Sequence, residues 1–160
     1  MKNHVKDFPM MAVSDSKTLS FRNLCGILRF TIKAQGSDPV DVSSISVYAD
    51  KGLSGVFTVS GDAAVVKGND GVVFKCSEPV KLREVSGTDF NIVLPQGDYS
   101  ALKVRICNSE GKEINLVSED MLSVKRSGVT RVALSLAKST FDTALEMIPV
   151  TDAEVDFTER

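Results

Sequence analysis

Leu94-Pro95-Gln96-Gly97-Asp98-Tyr99-Ser100 decides how this chain is read. An alternating stretch, Phe90 to Val93, precedes it, and another, Leu102 to Cys107, follows. Strand, Pro/Gly turn, aromatic, strand is the pattern of a β-sandwich hairpin. The turn gets its shape from Pro95 and Gly97, and Tyr99 is expected to pack against the end of the sandwich.

Working outward, the same period of two recurs. Leu28, Phe30, Ile32 and Ala34 alternate with Arg29, Thr31 and Lys33, so one face meets a core and the other meets water. The run stops at Gly36-Ser37-Asp38-Pro39, a loop by composition. Ile45, Val47 and Ala49 define a second strand, and Leu53, Phe57 and Val59 share a face of a third. Val65-Val66 and Val72-Val73-Phe74 flank Lys67-Gly68-Asn69-Asp70-Gly71, which predicts a hairpin with a loop of about five residues. Val80 and Leu82 predict a short edge strand beside Pro79. Glu113 to Val117 follows the turn Asn108-Ser109-Glu110-Gly111. Val132, Leu134 and Leu136 point inward from the last clear strand.

About nine short strands with turns roughly every 8–12 residues indicate an all-β chain, an antiparallel β-sandwich. No helical pattern separates the strands, which argues against parallel βαβ units. The expected organisation is a lead-in segment over 1–20, a β-sandwich domain over 21–137, and a C-terminal segment over 138–160. That last segment reads as a tail, a linker or a donor strand. Phe141, Leu145 and Ile148 have weak helical spacing, which Pro149 would end. Ala153, Val155 and Phe157 alternate with Asp152, Glu154 and Asp156. The expected common core comprises Phe30, Phe57, Phe74, Phe90, Val104, Ile106 and Leu134.

Composition narrows the function classes. The 160 residues can bury roughly 70% of their unfolded surface, enough for a core without metal or disulfide support. Net charge is −2 and the basic residues are scattered, so no patch would attract a phosphate backbone. Lys125-Arg126 reads as a solvated turn before Gly128. No apolar run approaches the ~20 residues of a bilayer-spanning helix. Lys2, Lys6 and Asp7 break up the first residues, which do not read as a secretory signal peptide.

Chemistry is hard to find in this sequence. His4 is the single histidine, and it lies in a polar terminal segment without a positioned partner. No nucleophile elbow, phosphate loop or dinucleotide fingerprint is present. Cys25, Cys76 and Cys107 match no zinc spacing. Cys25 and Cys76 read as packed thiols, and Cys107 lies on the opposite parity from Val104 and Ile106. Asp50, Asp62, Asp70, Asp89 and Asp98 are expected in turns. Tyr48 falls on the outward parity of its strand. No catalytic, cofactor-binding or metal-binding residue is assigned.

Two further segments carry a resemblance. Leu19-Ser20-Phe21-Arg22-Asn23-Leu24-Cys25-Gly26-Ile27-Leu28 resembles the F-x-N-L-C-G-x-L opening strand of fimbrillin-like proteins. These are surface or fimbrial subunits of anaerobic gram-negative gut and oral bacteria. Phe8 to Ala12 resembles that family's lead-in, Leu53-Ser54-Gly55-Val56-Phe57 its L-x-G-x-F strand, and Ile92 to Ser100 its Leu-Pro-x-Gly-x-Tyr hairpin. The resemblance spans about Phe8 to Leu136, and it places the start of this chain well inside a typical member. It implies a transthyretin-like sandwich, an outer-membrane-associated or extracellular location, and no catalysis. It also implies pairing with other fimbrial subunits, or with itself, by strand exchange. The alternative expectation is a carbohydrate-binding module of a surface glycan-uptake system, with host or glycan ligands and with Tyr48 and Tyr99 as the tyrosines to offer. A small sandwich enzyme with two carboxylates is the third class weighed.

Overall fold

The computed structural model describes residues 9–61, 63–118, 120–141 and 153–155. Two short strands come first, β1 (Met10–Met11) and β2 (Arg22–Asn23), paired with each other. The body is built from β3 (Cys25–Gln35), β4 (Asp41–Tyr48), β5 (Ser54–Ser60), β6 (Ala63–Asn69), β7 (Gly71–Lys81) and β8 (Thr88–Pro95). Then follow β9 (Gly97–Tyr99), β10 (Lys103–Cys107), β11 (Glu113–Val117), β12 (Leu122–Val124) and β13 (Val129–Ala137). A 3-10 turn, Lys138–Phe141, and β14 (Ala153–Val155) complete the described chain.

The architecture is an all-β sandwich. One sheet has the order β11-β10-β4-β7-β14 and the other β13-β3-β8. Their apolar faces form one core: Leu28, Phe30 and Ile32 of β3 and Phe90, Ile92 and Leu94 of β8 meet Ile45 and Val47, Val72 and Phe74, and Val104 and Ile106. The rings of Phe74 and Phe90 meet edge-on across the gap, with centroids 6.1 Å apart. That arrangement sets the positive edge of one ring against the negative face of the other. Phe141 is fully buried in the same core, so the turn after β13 fills one end of it.

Several details differ from the sequence reading: Val80 lies within β7, paired with Val42 of β4, rather than in a separate edge strand, and Leu134 is half-buried against the core. The Leu94–Ser100 stretch is a corner between sheets: β8 belongs to the three-stranded sheet, β10 to the five-stranded one, and β9 between them pairs with β12. Tyr99 locks this corner, its buried hydroxyl donating to the Pro95 carbonyl at 2.6 Å. The hairpin expected around Asn69-Asp70 is also displaced. β6 pairs with β5, and β7 pairs with β4 and β14.

Phe57 lies outside the common core and is half-buried, and Val59 is exposed. Gly55 breaks the parity between them and buried Leu53. Its φ is +131°, a conformation open to glycine, and it faces Gly68 across the ladder. A Cβ on Gly68 would lie 2.1 Å from the Ser54 carbonyl oxygen. The glycine pair lets the two strands close up and carries β5–β6 off as its own two-stranded sheet.

Two pairings run parallel, β13 with β3 and β14 with β7; the other strand pairings are antiparallel. The lead-in segment contributes a pair of strand residues and the backbone bond from Leu24 N–H to the Pro9 carbonyl. Leu145, Ile148 and Phe157 lie outside the described residues.

Replacing Phe30 or Phe90 by Ala is expected to lower unfolding free energy by about 3–5 kcal/mol. For Phe57→Ala the expected loss is below about 2 kcal/mol. Denaturant melts of the three variants check this, and equal losses would put Phe57 back in the core.

Candidate functional site

The sequence-singled groups are scattered and mostly committed to structure. The Cys25 thiol begins β3 and is buried, and burial pushes it up to about 11 from an ordinary 9.0. Burial likewise pushes Cys76 up to about 11. Cys107 is also raised, by burial first, against an opposing hydrogen bond from Ser44. All three cysteines are free. A nucleophilic thiol needs a depressed pKa, and these are shifted the other way.

Asp89 lies within β8 rather than in a turn and accepts the Thr31 hydroxyl at 2.6 Å. Asp98 lies in β9 and accepts the Ser123 hydroxyl; Asp50 accepts that of Ser100 at 2.8 Å. Asp70 sits at the junction of β6 and β7. His4 and Asp62 lie outside the described residues. No group of three or more metal-ligating side chains gathers among the described residues.

Neither tyrosine is an open platform. The Tyr99 ring is buried, its hydroxyl is spent on Pro95, and Lys51 Nζ lies 5.5 Å from its centroid. Burial, and then the charges of Cys25 and Asp50, hold its phenol well above the usual range. Tyr48 is half-buried at the end of β4, with the Arg105 guanidinium 5.6 Å from its ring centroid. Arg105 is itself buried and lies 3.5 Å from the Glu113 carboxylate. This charged pair is what sequence reasoning missed. Arg105 has the outward parity of β10, and parity alone makes it a solvent residue.

Lys125 and Arg126 do form a turn, closed by the Gly128 N–H to the Lys125 carbonyl at 3.0 Å, with Ser127 left-handed at φ 55°. Lys125 is exposed and Arg126 is half-buried. A shallow cleft lies between Lys81, Arg83, Ser86, Thr88 and Asp89. Two of its polar side chains serve the fold: Thr88 Oγ accepts the Arg83 N–H, and Asp89 holds Thr31.

The strand edges offer main-chain groups. β7 sits beside β4, and its other edge is covered over Val72–Phe74 by β14, running parallel. The rest of that strand, Lys75 to Lys81, carries Lys75, Glu78, Pro79 and Lys81, residues that discourage further pairing. The covered part, Val72–Phe74, has no charge and no proline. A strand edge of this kind presents N–H and C=O groups that must find a partner.

No family model and no curated protein matches the sequence. Among the described residues, no helix is long and apolar enough to cross a membrane.

Two outcomes follow from the buried groups. The raised thiols favour the folded state while protonated, so stability should hold up to about pH 9 and fall as pH rises towards about 11. A Cys25→Ala/Cys76→Ala variant should lose less over that interval, as read by denaturant midpoints at each pH. Tyr99→Phe removes the partner of the buried Pro95 carbonyl, so it should cost about 1–3 kcal/mol. An unchanged melt would mean the corner does not need the bond.

Proposed function

We propose that this protein is a non-catalytic structural or adhesive subunit of a bacterial cell surface. It acts through β-strand pairing with neighbouring subunits of a fimbrial type. The observation that carries this reading is β14 on β7. Three C-terminal residues, Ala153–Val155, complete a sheet edge whose covered stretch is neutral and apolar. A three-residue parallel ladder is a short hold, and parallel pairing is slightly less stable per residue than antiparallel. The same edge would accept the equivalent strand of a neighbour with the same main-chain bonds.

The motif order Phe21 to Leu28, Leu53 to Phe57 and Ile92 to Ser100 supports assignment to the fimbrillin-like class, and with it a surface location. The buried thiols, the committed carboxylates and the covered tyrosines support a role without catalysis. They also weigh against a glycan platform, which needs accessible aromatic faces.

The test is a chain ending at residue 149, which keeps Phe141 in the core, mixed with a synthetic peptide of residues 150–160. Expected results are saturable binding of the peptide and more self-association of the shortened chain than of the parent by light scattering. A folded, shortened chain that neither binds the peptide nor associates differently would refute the donor-strand reading.

A further inference from the structure

A second strand edge is left open, and its chemistry is different. β5 pairs on one side with β6 and, among the described residues, with nothing on the other. Its sequence, Ser54-Gly55-Val56-Phe57-Thr58-Val59-Ser60, has neither a charge nor a proline. Every other described edge of five residues or more that stands unpaired carries one. β6 has Lys67, β8 has Asp89 and Pro95, β11 has Glu113, β13 has Arg131, and β7 beyond its β14 ladder has Glu78, Pro79 and Lys81. Those residues are the usual protection against edge-to-edge pairing. β5 lacks it while exposing apolar side chains: Val56 is 73% and Val59 47% exposed, and Val65 on β6 is 60% exposed.

We infer that β5 is a self-association edge, pairing antiparallel with β5 of a second copy of this chain. The argument for a second copy is charge. In a two-fold antiparallel pair the residue on the axis meets its own copy, so a charge at position 58 would face a like charge, and Val56–Ser60 carries no charge at all. Gly55, at φ +131°, ends the regular stretch, so Val56–Ser60 pairs about Thr58. Thr58 then faces Thr58 of the second copy across the two-fold axis, and Phe57 faces Val59 twice. Aromatic against β-branched and Thr against Thr are both favourable cross-strand pairs. The result is a continuous four-stranded sheet, β6-β5-β5-β6, across an isologous interface. Five paired residues a side make a contact smaller than the about 1,200–2,000 Å² of a stable interface, so the dimer forms at high protein concentration. This contact is separate from β7 and β14 and does not rest on the donor-strand reading.

Sedimentation of the full chain from roughly 10 µM to 1 mM tests it. The parent should show a reversible monomer–dimer equilibrium. Thr58→Lys sets two ammonium groups face to face and should weaken the dimer at least tenfold. Thr58→Glu should do the same. An equimolar mixture of the two should regain dimer, because Lys then faces Glu. Thr58 is exposed, and thermal melts of each variant confirm that the fold is kept. Val117→Lys on β11 is the control and should leave the equilibrium unchanged. A parent that stays monomeric throughout overturns the inference. So does association that Thr58→Lys leaves intact, or variants that do not recombine. None of these substitutions touches the β7–β14 ladder, so the two readings fail separately.

Discussion

Two sheets, each with one apolar face, must bury those faces against one another. The edge-on contact of Phe74 with Phe90 lies on that buried plane. Everything else is arranged so that the plane can exist. β3 supplies Leu28, Phe30 and Ile32 to it from the middle of one sheet, and β4 supplies Ile45 and Val47 from the middle of the other. A bulge between Val42 and Ser44 keeps Val42 buried as well, and the Ser43 hydroxyl is taken up by the Cys107 and Asn108 carbonyls at 3.1 and 3.0 Å. One crossing from layer to layer is at Tyr99, where a buried hydrogen bond to the Pro95 carbonyl and the pairing of β9 with β12 hold the corner.

Burying the faces leaves the edges to be dealt with, and the edges give this molecule its function on our reading. Apolar area is non-directional, so the core says little about partners. Main-chain groups at an edge are directional and obligatory, so they do. The chain treats its edges in three ways. Some are charged or carry proline, one stretch of β7 is covered by the chain's own β14, and β5 is neutral and, among the described residues, open.

The layered architecture was legible in the sequence because a period of two fixes facing without knowledge of neighbours. Leu28, Phe30, Ile32, Phe90 and Ile106 all face where alternation puts them. Parity failed where the backbone changed state between residues. Gly55 separates Leu53 from Phe57, and nothing in the side-chain pattern records a φ of +131°. Pairing was less legible than facing. Leu94 to Ser100 has the composition of a hairpin, yet which strands meet beyond it depends on the sheets, and the sheets assign Tyr99 to a corner. Arg105 is not legible for a related reason. Its parity points outward, and only the three-dimensional closeness of Tyr48 and Glu113 makes that position dry. Acidic alternation around Ala153–Val155 suggested a strand among other outcomes, and its register on Val72–Phe74 carries no local signal.

The parallel pairing of β13 with β3 links Val129–Ala137 to Ile27–Gln35, residues from opposite ends of the body. Parallel strands cannot nucleate through a tight turn, and the loop that must close here contains almost every other strand. Assembly of the smaller sheet therefore waits for the far end of the chain. During synthesis, β3 is present long before its neighbour, with one edge unpaired. Contacts this distant in sequence belong to slow folders. A chain folding in this order keeps the β13-facing edge of β3 open until Val129–Ala137 arrives.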